Sequence, residues 1–490
     1  MSAAPQTDRI RPVKGRFARE IGATLTLAWP IVLSNLAVTL MTATDVMMLG
    51  LLSPHALAAG ALGANLFNPF LLMSIGVIAA LAPIAATKIG AREAGDGVRR
   101  ATHQALMAAL MLAAGAWLVL MHTTAILTAI GEPRDLAEDA GLYMAGFQWS
   151  LAPNLMFFAC RSVFAAFERP RPPLIAGLVA VAFNAGANYV LIFGKLGLPA
   201  LGIFGSGVAT TLSMTLMLAL IVAFSLIDPR MRRLRLFALP WRFARDEFLS
   251  LWRLGLPIGL MILAEVGIFS GSALTMGLIG RAALEAHTVA LQVASIAFMV
   301  PLGLGQAASV RIGLAYGARD REAIARAGWA AFGLTLGFAL LSATAMIAVP
   351  RLLISPFIAV DAPDNAAAVG IAVAMLAVGA VFQVFDASQA ALSNMLRGLH
   401  DSRWPLVMAL FGYWGIGAPV GLALGFWTPL AGVGVWIGLA VGLAVVATLL
   451  GARWLGKARR GFFLPAAVAA QGARKAVRGE SASERSAITS

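Results

Sequence analysis

Long apolar segments, separated by short polar loops, follow one another along almost the whole chain. Each holds about 20 residues or more, enough for a helix to cross a hydrocarbon core of about 30 Å. Backbone groups in lipid must be paired within their own segment, so the pattern predicts an all-α membrane protein with twelve transmembrane helices. We place them at 24–50, 57–87, 102–123, 137–166, 174–194, 202–227, 249–279, 286–316, 324–348, 366–396, 404–426 and 430–453.

The composition supports a lipid environment. The 490 residues are 60% hydrophobic and only 12% charged, which leaves too little polar surface for a water-soluble protein. A formal net charge of +14 would suit a nucleic-acid binder. However, the basic residues form short clusters between apolar segments and are not interleaved with exposed aromatic residues. We therefore expect membrane lipid, and no nucleic acid, as a partner.

The positions of the basic residues predict the orientation of the chain. With the N-terminus in the cytoplasm, all but four of the 37 Lys and Arg residues fall on the inner side, the exceptions being Arg134, Lys195, Arg281 and Arg351. Lys and Arg are retained preferentially in cytoplasmic loops. We therefore expect both termini to be cytoplasmic and the first apolar segment not to be a cleaved signal.

The two halves of the chain repeat, which predicts two six-helix lobes of the same orientation. A transport site is then expected between the lobes, with one lobe rocking against the other. Gene duplication in a channel or structural protein is the alternative. An offset of 227 residues superposes the first two segments on the seventh and eighth, and it aligns Pro30 with Pro257, Gly50 with Gly277, Gly76 with Gly303 and Gly90 with Gly317. An offset of 232 residues superposes the fourth and fifth segments on the tenth and eleventh.

The repeat divides the chain into five parts. We predict a cytoplasmic N-terminal tail at 1–20, an N-lobe at 21–227, a cytoplasmic linker at 228–248, a C-lobe at 249–456 and a cytoplasmic tail at 457–490. The last part is basic and then rich in Ser and Glu, so we expect it to be disordered.

Three acidic residues, Asp45, Glu265 and Asp386, lie well inside predicted membrane segments. A charge at that depth costs about 2.5–3.5 kcal/mol and is usually retained for an ion path, a proton relay or a cationic ligand. Arg161 and Arg311 lie near segment ends, so no Lys or Arg is expected at a comparable depth. An unpaired carboxyl group can bind a proton, a sodium ion or a cationic substrate in turn, which would couple their flows. Alternatively, each carboxyl group is permanently protonated and only joins helices.

The symmetry of the scaffold does not require these acids, because none of the equivalent positions in the other half is acidic. We therefore expect two different sites, one around Asp45 in the N-lobe and one formed by Glu265 with Asp386 in the C-lobe. In the repeat, Asp45 is equivalent to Ser272, Glu265 to Val38 and Asp386 to Asn154.

Further polar residues of the N-lobe could join Asp45. Asn184 and Asn188 are one helical turn apart on the fifth segment, and Thr210 lies on the sixth. Asn pairs of this kind also join membrane helices without binding an ion, and that alternative remains open.

No catalytic pattern is present in the sequence. The five histidines are isolated, without metal-ligand spacing or a nucleophile dyad, and no Walker motif occurs. We therefore expect no enzyme activity, no cofactor and no use of ATP within the chain. We expect the single cysteine, Cys160, to be a buried packing residue.

Several short motifs occur in order along residues 20–455. They are LAWPI at 27–31 with Asp45 and Gly50, FNAGANYVLIFG at 183–194 with Lys195, GSGVAT at 205–210, LGLPI at 254–258 with Glu265, AHTVAL at 286–291, VRIG at 310–313, and Asp386 with LRG at 396–398. Their order and spacing together are specific. The chain thereby resembles the multidrug and toxic-compound extrusion (MATE) family, in its bacterial NorM-like branch.

The resemblance implies a monomeric two-lobed exporter of the bacterial inner membrane that exchanges cationic or amphiphilic organic compounds for protons or sodium ions. It implies an N-lobe cation site at Asp45, Asn184, Asn188 and Thr210, and a C-lobe site at Glu265 and Asp386, either of which could take Na⁺. Candidate substrate-cavity residues are Phe382, Thr288 and Gln292.

Two departures from the family pattern affect the C-lobe. Phe382 stands where relatives often have Tyr, and Thr288 where they often have Gln. The absence of a tyrosine hydroxyl group favours protons over sodium as the coupling ion.

A lipid-linked oligosaccharide or peptidoglycan-precursor flippase of the same superfamily is the main alternative function. Its cavity should carry basic residues that meet a pyrophosphate group. The sequence indicates no Arg or Lys at mid-depth, which favours the exporter. A passive channel fits the asymmetric acids and the repeat poorly.

Overall fold

The computed structural model describes residues 13–237 and 242–462, with the side chains of the first helix described from residue 17. Most of the predicted C-terminal tail, the first twelve residues and part of the predicted linker lie outside these ranges. Statements below concern the described residues.

The described residues contain twelve helical segments that correspond to the twelve predicted membrane helices. Eleven described helices are long and apolar enough to cross a membrane. The twelfth is the run 134–166, which a 3₁₀ turn at Gln148–Ser150 divides. The helices are α1 Val13–Leu52, α2 Pro54–Gly90, α3 Asp96–Leu120, α4 134–166, α5 Arg171–Phe193, α6 Gly202–Ile227, α7 Arg245–Ile279, α8 Arg281–Gly317, α9 Arg321–Ala348, α10 Ala366–Gly398, α11 Arg403–Trp427 and α12 Ala431–Arg459.

Several helices extend beyond the predicted apolar segments. α1 begins at Val13, inside the predicted N-terminal tail, and α7 begins at Arg245, inside the predicted linker. Arg, Lys and Glu are good helix formers, so a helix continues after its apolar pattern stops. The short helices Thr123–Ala129, Pro229–Leu234 and Pro350–Ile354 lie in connections.

Each lobe has its own apolar core. In the N-lobe, α5 packs on α1 and α6, and in the C-lobe α10 packs on α8 and α12. The N-lobe core also includes Leu254 and Ile258 of α7 and Val310 of α8. The two lobes are therefore in close contact along part of their length.

Contacts between the lobes follow the internal repeat. α2 packs on α7 and α8, and α1 packs on α8. A Cβ atom at Gly90 would lie 2.0 Å from the Leu314 carbonyl oxygen, and one at the equivalent Gly317 would lie 2.0 Å from the Thr87 carbonyl oxygen. Only glycine permits so close an approach of two helices at these positions. The two contacts are related by the repeat, which is the two-fold arrangement that the sequence predicts.

These contacts lie at the end of the molecule formed by the first turns of α1 and α7 and the last turns of α2 and α8, called here the closed end. Ion pairs also cross between the lobes there. Lys88 Nζ lies 2.7 Å from Glu247 Oε1, and Arg311 of α8 binds both Glu20 and Glu168. The closed end thus combines tight helix packing with charge pairing.

Candidate functional site

The N-lobe acid Asp45 is enclosed by neutral polar side chains from two neighbouring helices. Asn184 and Asn188 of α5 each donate from Nδ2 to Asp45 Oδ1, at 3.0 and 2.7 Å, and the Thr210 hydroxyl group of α6 donates to Oδ2 at 2.8 Å. Asp45 is 7% exposed and forms no ion pair with any described residue. The four residues that the sequence nominates for this site therefore meet in one buried cluster.

The same cluster offers oxygen atoms to a cation. The Oδ1 atoms of Asn184 and Asn188, and the nearby buried Ser206 Oγ, have no hydrogen-bond partner in the described part of the chain. Carboxylate and amide oxygens are suitable ligands for hard cations. The Asp45 carboxyl group and the two amide oxygens could thus bind a sodium ion, or Asp45 alone could bind a proton.

The C-lobe acids also come together. Asp386 of α10 is buried, Glu265 of α7 is partly buried, and the two lie close enough to interact electrostatically. Asp386 Oδ1 and both polar side-chain atoms of Gln383 lack hydrogen-bond partners among the described residues. Two neighbouring carboxylates repel each other, so binding of a proton or a metal cation stabilises this pair.

Tyr413 is a C-lobe residue that sequence reasoning missed. Its buried hydroxyl group has no described hydrogen-bond partner, and it lines a cavity of about 10 Å³ together with Glu265 and Phe269. That space is about what one water molecule needs. The signal in the sequence was a rare tyrosine within the glycine-rich segment FGYWGIG.

The backbone around Tyr413 explains its position. Residues Phe411–Gly417 of α11 form a π-helical turn, and such turns are frequent at functional sites. The adjacent Trp414 Nε1–H donates to the Ala264 carbonyl oxygen at 3.1 Å, which ties this turn to α7 beside Glu265. Tyr413 therefore brings a hydroxyl group to the acids from a different helix than the one on which Phe382 lies.

A larger cavity of about 520 Å³, called here the interlobe cavity, lies between the two lobes. Its wall is mostly apolar, with aromatic rings such as Phe157 and Phe298. Among the described residues Glu265 is the only acidic one in the wall, and Asp45 is not part of it. The C-lobe acid can therefore meet a bound compound directly, whereas the N-lobe acid is set apart.

The expectation that no Arg or Lys lies near these acids was wrong for the C-lobe. Arg161 of α4 and Arg397 of α10 both line the interlobe cavity, and Arg397 interacts electrostatically with Glu265. Both arginines lie near helix ends, but the cavity reaches toward the closed end and takes them in. The argument against a flippase from absent basic residues therefore fails.

The three candidate cavity residues do not line the interlobe cavity. Phe382 is buried against Phe269 and Trp436. Thr288 and Gln292 are exposed on α8, and the Thr288 hydroxyl group donates to the Leu284 carbonyl oxygen of its own helix. Their contact with a substrate stays a prediction.

Comparison with known proteins agrees with this architecture. The MatE family model matches residues 30–190 and 257–423, two segments whose starting points differ by the repeat offset of 227. The chain is 48% identical to the probable multidrug resistance protein NorM of Mesorhizobium japonicum over 92% of its own length and 96% of that protein. It is 41% identical to the protein of the same name from Brucella suis, over 90% and 93% of the two chains.

Solved structures show the same fold. One described as the outward-facing conformation of a multidrug resistance MATE family transporter of the MOP superfamily superposes with a TM-score of 0.80 at 21% identity, covering 92% of this chain and all of that one. The helical fold in two repeated lobes is thus that of a solved structure. The chain belongs to the MatE family, in the branch of its NorM-named relatives, and it is a multi-pass membrane transporter and not an enzyme.

Proposed function

We propose that this transporter exports structurally varied organic cations in exchange for protons or sodium ions. The observation that carries the proposal is the Asp45 cluster, a buried carboxyl group held by three neutral donors without a basic partner. Relatives of the chain bear the name of multidrug resistance proteins, which agrees with export of drugs.

The Asp45 cluster suits a coupling ion better than a drug. Neutral donors hold the carboxyl group in place but leave its charge available to a cation. The cluster is packed inside the N-lobe and is not part of the interlobe cavity wall, so only a small ion fits it. Binding there would favour one arrangement of the lobes, as differential affinity requires.

The interlobe cavity suits the exported compound. Its volume of about 520 Å³ lies in the range of drug-sized binding sites. Glu265 offers a negative charge, and the aromatic rings of the wall can stack on a flat cation. An apolar wall with few fixed polar groups discriminates weakly, which agrees with a broad substrate range.

The C-lobe acids could bind either a sodium ion or a proton as the coupling ion. Phe382 lacks the hydroxyl group expected for sodium coordination, but Tyr413 brings one to the same acids. A sodium ion could then use Glu265, Asp386 and Tyr413, whereas a proton needs only the carboxyl pair.

The test is efflux of a fluorescent organic cation from proteoliposomes that contain the full chain, with proton and sodium gradients imposed separately. Efflux that accelerates with one of the gradients supports exchange and names the ion. A rate that equals that of protein-free liposomes under both gradients would overturn the proposal.

The expected setting is the bacterial inner membrane, with a monomer whose two termini face the cytoplasm. The asymmetry of Lys and Arg along the sequence supports this orientation. A reporter that fluoresces only in the cytoplasm, fused to the C-terminus, should be bright in cells.

A flippase for lipid-linked oligosaccharides or peptidoglycan precursors is a second candidate, because Arg161 and Arg397 in the cavity wall could bind a pyrophosphate group. In proteoliposomes, translocation of a fluorescent lipid pyrophosphate without any gradient-driven cation efflux would favour it over the exporter.

A further inference from the structure

Arg161 is the only buried Arg or Lys among the described residues, and it forms no ion pair with any of them. Its side chain is part of the interlobe cavity wall and the residue is 7% exposed. Nη2 donates to Asn35 Oδ1 at 2.7 Å and to Gln306 Oε1 at 2.8 Å, both neutral amides. The guanidinium carbon lies 5.3 Å from the centre of the Phe158 ring. Among the described residues no carboxylate neutralises this charge.

An unpaired buried guanidinium group is costly, so a purely structural role for it is a poor explanation. Guanidinium carries five N–H donors in a planar fork, and the two amide contacts occupy one nitrogen only. Elsewhere in the protein Arg311 binds Glu20 and Arg453 binds Asp401. Arg161 therefore retains both its charge and free donor capacity.

The internal repeat gives a second reason. The position equivalent to Arg161 at the offset of 232 is Ser393, which also lines the interlobe cavity and is buried. The helix fold thus accommodates a small neutral side chain at this place. An arginine is not required at this position to close the wall, and its presence there in only one of the two repeats points to a ligand.

The acid of the cavity wall lies on the other lobe, where it also interacts with Arg397. Glu265 lies in the wall contributed by α7, and Arg161 in the wall contributed by α4, with aromatic side chains such as Phe269 and Phe157 in the same lining. An amphiphilic compound with an amine and a carboxylate on an aromatic body matches this distribution of charge.

We propose that Arg161 forms an anion-binding subsite of the interlobe cavity, through which the transporter binds amphiphilic compounds that carry a carboxylate. A carboxylate can accept two parallel hydrogen bonds from the guanidinium fork, which neutral amides do not match. It would displace the Gln306 side chain of α8 from Arg161, and so replace one of the contacts between the lobes. The proposal deepens the proposed export function, and rests on it for the transport of such compounds but not for their binding.

The test uses two probes that differ at one group. Rhodamine 110 carries a free carboxylate, and rhodamine 123 is its methyl ester and a permanent cation. Binding of each to the purified full chain is followed by fluorescence anisotropy. We expect Arg161→Gln to lower the affinity for rhodamine 110 by about tenfold or more, because a charge-assisted contact is lost. The affinity for rhodamine 123 should fall by less than about twofold. The affinity of Arg161→Lys for rhodamine 110 should lie between that of Arg161→Gln and that of the parent protein.

Gln306→Leu is the matched control, because it removes the same hydrogen bond between the lobes but keeps the guanidinium group. If Arg161 only joins the lobes, Arg161→Gln and Gln306→Leu should both lose affinity for the two probes to the same extent. If it binds an anion, Gln306→Leu should keep rhodamine 110 at parental affinity or better. Equal weakening of both probes by Arg161→Gln, or parental affinity of that variant for rhodamine 110, overturns the proposal.

The outcome can be separated from that of the exchange proposal. In one outcome, the parent protein transports neither probe under either gradient, while Arg161→Gln selectively loses rhodamine 110 binding. That result would overturn the exchange proposal and support the anion-binding subsite. If a gradient drives transport of the probes but Arg161→Gln keeps the parental ratio of affinities for the two probes, the export proposal stands and the anion-binding subsite is excluded.

Discussion

Asp45 is the central residue of the candidate ion site in the N-lobe. Its three donors come from α5 and α6, and all are uncharged. An arginine or lysine in their place would have neutralised the carboxylate permanently. Neutral donors instead fix its position and leave its charge free to attract a cation.

Replacing Asp45 by Asn tests this site. The change keeps the size of the side chain but removes the charge that a coupling ion needs, so gradient-driven efflux should fall by about tenfold or more. Efflux is measured in proteoliposomes with equal amounts of inserted protein.

The equivalent position of the other lobe supplies the control. Ser272 is buried and donates only to the Ile268 carbonyl oxygen of its own helix. Ser272→Ala should therefore transport at nearly the parental rate. Parental transport by correctly inserted Asp45→Asn protein would exclude Asp45 from coupling.

Tyr413 is the residue to test in the C-lobe. Tyr413→Phe removes one oxygen atom near Glu265 and Asp386 and keeps the ring, so sodium-driven efflux should fall by about tenfold if the hydroxyl group binds the ion. Proton-driven efflux should change little, because the carboxyl pair remains. The exposed Tyr189 offers a control, and Tyr189→Phe should leave both rates unchanged.

A different pattern would contradict this assignment. If Tyr413→Phe and Tyr189→Phe gave the same sodium-driven rate as the parent in a protein that responds to sodium, Tyr413 would not be a ligand.

Helices supply the next level of organisation. α5 carries Asn184 and Asn188 one turn apart, so that both face the same point of α1. α11 brings Tyr413 to α7 through a π-helical turn. α2 and α8 approach each other at Gly90 and Gly317, where backbone meets backbone.

The glycine contact can be tested by adding one methyl group. Gly90→Ala or Gly317→Ala would place a Cβ atom 2.0 Å from a carbonyl oxygen of the opposite helix, and no rotamer change can relieve that overlap. We expect α2 and α8 to separate at the closed end. Spin labels at the exposed residues Glu93 and Glu322, one in each lobe, should report a longer distance by pulsed electron resonance.

The controls are Gly115→Ala and Gly333→Ala, where nothing lies within 4 Å of an added Cβ atom. These changes should leave the label distance unaltered. The same distance in Gly90→Ala and Gly115→Ala proteins would show that the contact does not hold the lobes together.

At the scale of the whole molecule, the expected rocking of the lobes requires the closed end to open and its ion pairs to break. Lys88 and Glu247 join α2 to the first turn of α7, with side chains only 17% and 19% exposed. Partial burial reduces screening by water, so this pair should matter more than a surface pair.

Reversing one charge of this pair should favour opening. Glu247→Lys would place two positive groups together near Arg100, and we expect a shift of about tenfold or more in the ratio of open to closed molecules. The distance between the labels described above measures it. Lys88→Glu combined with Glu247→Lys should restore part of the closed population.

The exposed pair formed by Arg134 and Glu138 within α4 is the matched control. Glu138→Lys should not change the label distance. A closed population that is unaffected by Glu247→Lys would mean that helix packing alone holds this end.

The sequence by itself determined the properties that depend on local pattern. Twelve helices follow from the length and apolarity of each segment, because lipid requires backbone groups to be paired within a helix. The two lobes follow from the repeat, since similar residues at a constant offset build similar packing surfaces. The buried acids Asp45, Glu265 and Asp386 stand out because charge is rare at that depth.

Only the tertiary structure decided which of these residues meet and what surrounds them. Asn184 and Thr210 reach Asp45 from positions more than a hundred residues away, which depends on how three helices are rotated against one another. Distance from a helix end measures depth along one axis, and it did not reveal that Arg161 and Arg397 line the cavity between the lobes. Side-chain neighbours are set by helix rotation, tilt and the shape of the gap between lobes, and none of these is encoded in the apolar period of a single segment.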